Sequence, residues 1–167
     1  MGDREEALRN AGAELYLTRD PLQLMSGIFT TGEVKRVTDF EEAGISLSTI
    51  DDGHVKPDPM MDDISIAACV RGKAPVVLTG CSHAGIVNIL TQVSKVCGRR
   101  EFECVTGGFH LVEAPDERIK KTTEALKKFS IKSIVPGHCT GFRAQASLYS
   151  AFGPAFKPLQ TGMVLKF

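Results

Sequence analysis

The chain has 167 residues, 43% of them hydrophobic and 24% charged, and its 20 basic and 20 acidic side chains cancel to a formal net charge of zero. That is the make-up of a globular domain with a sizeable core, and nothing in the even balance points to a nucleic-acid or membrane footprint. No apolar run reaches about 18 residues and the start, MGDREEALRN, lacks the apolar centre of a signal peptide, so a cytoplasmic protein is expected.

In chain order, Asp3 is placed to cap a helix through Asn10, with Glu6 three residues on completing a capping box. Ala13 to Thr18 reads as a strand and Asp20-Pro21 as a turn. A strand is expected around Ile28 to Val34, and residues 41–62 read as a loop with a short hairpin. DISIAACV and APVVLTG are apolar runs joined by Arg71-Gly72-Lys73, which predicts a hairpin. A helix from about Ala84 to Val96 carries Ile86, Ile89, Leu90, Val93 and Val96 on one face. EFECVTGG reads as a strand, and DERIKKTTEALKKF as an amphipathic helix opened by Pro115 and Asp116. KSIVPG is a short strand, GFRAQASLYSAF a helix and GMVLKF a final strand. Strands alternating with helices after a hairpin-rich first part predict one layered α/β domain.

Three strand ends share one grammar: VVLTGCSHAG carries His83, ECVTGGFHL carries His110, and SIVPGHCTG carries His138. Each is an apolar strand, a glycine, and a histidine within three positions of it. The spacings, 83 to 110 and 110 to 138, each fit one strand-helix unit, so neighbouring strands would bring the three imidazoles to one sheet edge. Imidazole is the commonest metal ligand among side chains, and histidines on loops above a rigid sheet are a way to build a metal site.

His54, in the polar stretch DDGHVKPD, reads as structural. The five cysteines, Cys69, Cys81, Cys97, Cys104 and Cys139, are odd in number and hold no C-x-x-C pair, which predicts free thiols in a reducing cytosol. Cys81 and Cys139 flank the expected site as small core residues or as thiolate ligands. A nucleophile pair of Cys139 with His83 or His110 is a third option. The carboxylates of DPMMDD, Asp58 to Asp63, read as loop caps, or as one partner that fixes a histidine tautomer.

TGCSHAGIVN, GGFHL and PGHCTG, in that order and spacing, resemble the metallo-β-lactamase-fold hydrolases, in particular the dihydropterin ribofuranosylaminobenzene-phosphate synthase-like branch. FTTGEV and DPMMDD share the likeness, which runs over nearly the whole chain. The resemblance implies the C-terminal part of an αββα sandwich with a divalent metal, zinc by preference and manganese or iron as alternatives. It implies that His83 and His138 are metal ligands. Gly107-Gly108 falls where many relatives carry a Gly-Asp whose aspartate bridges two metals, so His110 becomes a substitute ligand or a catalytic substrate contact.

The family's first ligand cluster, His-x-His-x-Asp-His, does not occur in these 167 residues. The chain is therefore expected to be an incomplete domain. Two readings follow. One is a metal-dependent hydrolase acting on a small ester or phosphoester through metal-activated water, with anionic substrate groups received by the amides at the Gly80 and Gly137 turns and a complementing N-terminal half. The other is a truncated, inactive module whose bare sheet associates with a second copy.

Overall fold

The computed structural model describes residues 2–41, 47–69 and 71–167. Its four helices are α1 (Gly2–Asn10), α2 (Ile86–Cys97), α3 (Asp116–Leu126) and α4 (Phe142–Phe152). A six-stranded sheet takes the order β1 (Gln23–Met25), β2 (Ile28–Thr30), β5 (Ile66–Ala68), β6 (Val76–Thr79), β8 (Cys104–Gly108) and β10 (Ile134–Gly137). Two small pairs complete it: the hairpin β3 (Ser48–Asp51) with β4 (His54–Pro57), and the parallel pair β7 (Glu101–Phe102) with β9 (Ser130–Ile131).

The sheet changes character along its width. β1, β2, β5 and β6 are joined antiparallel, as short hairpin connections require. From β6 onward the pairs are parallel, with Thr79 opposite Gly107 and Gly108 opposite Gly137. Parallel neighbours need a crossover, and α2 and α3 provide it. The strands β6, β8 and β10 therefore end side by side on one edge of the sheet.

Adjacent residues on these strands point to opposite faces. Val77, Val105 and Ile134 face the helices and join Ile86, Ile89, Leu90, Ile119, Leu126 and Leu148 in the main core. Val76, Cys104 and Val135 face the other way, where Met163 and Leu165 of the C-terminal segment cover them. Helix α2 shows why its sequence folds as it does: Ile86, Ile89, Leu90 and Val93 are fully buried at helical spacing, while a left-handed Gly98 closes its C-terminus.

Several sequence expectations need correction. Ala13–Thr18 forms no ladder, and GMVLKF is not a strand either. The segment that follows β10 is instead 156–159: Phe156 bridges Ile134, and the N–H groups of Lys157 and Leu159 donate to the carbonyls of Ile134 and Pro136. Strand propensity in 162–167 is spent on packing Met163 and Leu165 without a free sheet edge to pair with. The strand expected over Ile28 to Val34 stops at Thr30, and EFECVTGG divides into β7 and β8.

α1 starts at Gly2, which puts Asp3 inside its first turn, and the capping box expected of Asp3 falls outside the described side chains. Residues 42–46 of the expected loop and Val70 also lie outside the described residues. The thiols are not all free: Cys69 and Cys97 form a disulfide, because the end of β5 and the end of α2 bring their Cα atoms to 6.6 Å. Cys81, Cys104 and Cys139 are free, and burial pushes the Cys104 thiol up to about 11. No described helix is long and apolar enough to cross a membrane.

Candidate metal centre

Three loops rise from the edge where β6, β8 and β10 end. The first is Gly80–Gly85, the second runs from Phe109 to Val112, and the third is the short helical turn His138–Thr140. They are fastened to one another. The Gly108 N–H donates to the Gly80 carbonyl at 2.8 Å, and the N–H groups of Leu111 and Val112 both donate to the Cys139 carbonyl at 3.1 Å. The buried Ser82 hydroxyl donates to the Gly108 carbonyl at 2.6 Å. The Thr140 hydroxyl donates to the Gly137 carbonyl and accepts from the Phe109 N–H. Polar groups that would be costly to bury alone thus bind the loops together.

Two of the three expected imidazoles meet directly. The rings of His83 and His110 lie 4.3 Å apart, centroid to centroid, at 57°. His83 is buried, and the Nδ1 atoms of both rings are buried without a hydrogen-bond partner. Burial of His110, together with the neighbouring His83 and Arg118, lowers its pKa and disfavours the charged ring. A neutral imidazole with an unused ring nitrogen is a donor ready for a metal or a substrate group.

His138 takes different neighbours. Its Nε2 lies 3.1 Å from the sulfur of Cys81. The Cys139 thiol donates to the Cys81 carbonyl at 3.4 Å, and burial pushes this thiol up to about 11. Among the described residues, Cys81, His138 and Cys139 are the one group of three such donors whose ligand atoms all lie within 4.8 Å of one another. The cysteine–histidine contact in the structure is therefore Cys81 with His138, not Cys139 with His83 or His110.

Backbone conformation reflects what this edge has to do. Ser82, His110 and His138 have φ of 62°, 46° and 50°, the left-handed region that side chains other than glycine's avoid. Left-handed residues outside glycine concentrate at functional sites. Gly107 and Gly108 serve the edge differently. A Cβ on Gly107, whose φ is 129°, would overlap the Thr79 carbonyl of the adjacent strand. A Cβ on Gly108 would come within 2.7 Å of the Cys139 sulfur and 3.1 Å of the His138 ring. No aspartate fits at 108 because the Cys139 sulfur, the Gly80 carbonyl and the His138 ring already fill that space.

The carboxylate run plays a supporting part. Asp58 accepts the Met60 N–H, a turn cap as expected. Asp63 accepts the Ala84 N–H at 3.4 Å, and its charge acts on His110. His54 is exposed on β4, in register with Asp51.

Two further residues shape the edge. Arg36 donates to the carbonyls of Pro59 and His83, tying the 59–61 segment to the His83 loop. Glu41 is buried over the start of α2, accepting the N–H groups of Val87 and Asn88 at 2.9 Å and the Thr38 hydroxyl at 3.1 Å. The N-terminal helix dipole favours that carboxylate, although burial still raises its pKa. A Cβ on Gly85 would overlap Glu41, which explains the glycine after His83-Ala84. A cleft of about 690 Å³ lies elsewhere, lined by residues including Tyr16, Arg19, Glu33, Met61 and Asp62 and by none of the three histidines.

No family model matches the chain. It is 38% identical over 166 residues to 7,8-dihydropterin-6-methyl-4-(β-D-ribofuranosyl)-aminobenzene-5′-phosphate synthase of Methanocaldococcus jannaschii, a match covering 98% of this chain and 56% of that protein. It is 32% identical over 136 residues to an uncharacterised protein of the same organism, covering 81% of this chain and 49% of the other. Among solved structures it superposes on a metal-dependent hydrolase of the β-lactamase superfamily with a TM-score of 0.78 at 25% identity, over 99% of this chain and 62% of that one.

With the layered sheet and its helices, these likenesses define a chain with the metallo-β-lactamase fold, a fold of metal-dependent hydrolases. The chain spans about half the length of the two relatives from Methanocaldococcus jannaschii.

Proposed function

We propose that this chain contributes part of the active centre of a metal-dependent enzyme acting on a small phosphorylated molecule, by hydrolysis of an ester or phosphoester. The observation that carries the reading is the pair of buried, unpartnered Nδ1 atoms on His83 and His110, beside His138 at the shared strand edge of a metallo-β-lactamase fold. His83 and His138 are assigned as ligands, and His110 as the catalytic contact to substrate.

The donors fit a divalent ion. Imidazole nitrogens suit zinc, and zinc is preferred here to manganese or iron because the Cys81 sulfur lies beside His138. When bound, such an ion supplies Lewis acidity and lowers the pKa of a coordinated water. A catalytic zinc takes about three protein ligands and leaves one position open. His83 and His138 make two of these, so the reading requires at least one further donor.

The chain's own groups have separable tasks. His110, whose Nδ1 has no hydrogen-bond partner, presents a ring nitrogen for one hydrogen bond to substrate. Ser82 and Thr140 hold the loops so that the rings keep their spacing.

A second reading, bond formation rather than hydrolysis, is favoured by the 38% identical relative, which is a synthase. Product analysis in heavy-oxygen water separates the two: label in the product marks hydrolysis, and a product joining two organic substrates marks synthesis. For either, turnover is expected to vanish with a chelator and return with zinc, and His83→Ala is expected to weaken metal retention at least about tenfold. Turnover that ignores the chelator, or a His83→Ala protein as active as its parent, overturns the proposal.

A further inference from the structure

We propose that Cys81, His138 and Cys139 form a three-ligand site for a soft divalent cation, zinc above all, in which both sulfurs are ligands. The site shares His138 with the catalytic reading above, but it is argued from Cys81 and Cys139, which that reading does not use.

Three observations point the same way. The first is convergence: the two sulfurs and one ring nitrogen come from two different loops, yet lie within 4.8 Å of one another. In a tetrahedral zinc site, with Zn–S about 2.3 Å and Zn–N about 2.0 Å, donors sit roughly 3.5–3.8 Å apart. The Cys81–His138 separation of 3.1 Å and the 4.8 Å limit bracket that range, so the shift needed on binding is small.

The second is the room made for them. Gly108 stands at the end of the central parallel strand, where a side chain would strike both the Cys139 sulfur and the His138 ring. The same Cβ would also lie 2.7 Å from the Gly80 carbonyl oxygen, so the gap admits these two groups and the loop fastening together.

The third is how the donors are held. His138 is fixed in a left-handed conformation at φ 50°, and two N–H groups from the neighbouring loop anchor the Cys139 carbonyl. His138 is exposed and Cys81 half-buried, so an ion can enter and a fourth position stays open.

A thiol–imidazole nucleophile pair explains the contact between Cys81 and His138 but gives the second sulfur no task. Soft thiolate donors together with imidazole select zinc over magnesium, calcium or manganese.

Cobalt(II) titration of the metal-free chain, in air-free buffer, tests the site without reference to turnover. A thiolate-to-cobalt absorption in the near ultraviolet is expected, displaced stoichiometrically by zinc. Cys81→Ser and Cys139→Ser should each weaken that band, and His138→Ala should lower cobalt affinity at least about tenfold; His83→Ala should leave the band in place. Should a cysteine variant fail to fold, alkylation of the unaltered chain serves instead: zinc is expected to protect Cys81 and Cys139 from iodoacetamide. A cobalt spectrum without the thiolate band, a band unchanged in both serine variants, or alkylation indifferent to zinc overturns the proposal. Turnover retained in His83→Ala with the band intact counts against the catalytic reading alone.

Discussion

The edge above β6, β8 and β10 and the region before β5 follow different rules. At the edge, every loop is bonded to its neighbour, and the residues beneath, such as Val77, Val105 and Ile134, are completely buried. Before β5, Tyr16, Leu17, Met25, Ile50 and Val55 are each at least 66% exposed. The difference teaches that a parallel strand-helix unit does two jobs at once. It buries the strand on both faces, and it delivers the residue after the strand to a fixed place. Antiparallel hairpins close locally and give their apolar side chains no such cover.

Substitution breaks the contrast most severely at Gly107. Gly107→Ala sets a Cβ against the Thr79 carbonyl at a φ of 129°, where no relaxation short of separating β6 from β8 relieves it. A loss of about 3 kcal/mol or more in a urea unfolding curve is expected.

Glu41→Ala comes next. It strips two buried N–H groups at the start of α2 of their acceptor, a cost of about 1–3 kcal/mol. Its pH dependence has a definite sign. Burial raises the folded pKa of Glu41 above its ordinary 4.5, so in that window the folded state holds more protons than the unfolded one. The stability Glu41 brings is fully present below 4.5 and declines as pH rises through the folded pKa. The penalty of the substitution is therefore largest at the acid end, and melting curves taken from pH 4.5 upward should converge partway toward those of the variant.

The smallest effect belongs to the exposed region. Leu17→Ser, at a side chain 89% exposed, should move stability by no more than about 0.5 kcal/mol. A large loss there in the isolated chain would show that this region is covered after all, by a second copy, as a concentration-dependent melting temperature would confirm.

Much of the edge was legible from the residues. The repeated strand–glycine–histidine pattern placed His83, His110 and His138 at strand ends, because strand and helix periods are written in local spacing. Which ring meets which was not legible. His138 turns to Cys81 because its own backbone is left-handed and because position 108 is empty of a side chain, two facts that spacing does not encode. Glu41 and Arg36 were missed for another reason: their partners, Val87, Asn88 and the His83 carbonyl, lie 46 or 47 residues away. A single acidic residue in VTDFEEAG carries no sign of the helix it caps.

The strand expected at Ala13–Thr18 failed on the opposite ground. Its apolar and β-branched residues satisfy local preference, but no sheet edge is offered to them, and a strand is defined by its neighbour. The disulfide was hidden likewise, since Cys69 and Cys97 stand 28 residues apart in sequence and only the packing of α2 against the sheet closes the gap.

The left-handed backbones of His110 and His138 carry an evolutionary consequence. At each position glycine would relieve roughly 1–2 kcal/mol of steric cost, so drift toward a sturdier fold leads directly away from imidazole. A lineage freed of the chemistry at this edge would be expected to trade these histidines for glycine or asparagine early, while one that still uses it must keep replenishing stability elsewhere.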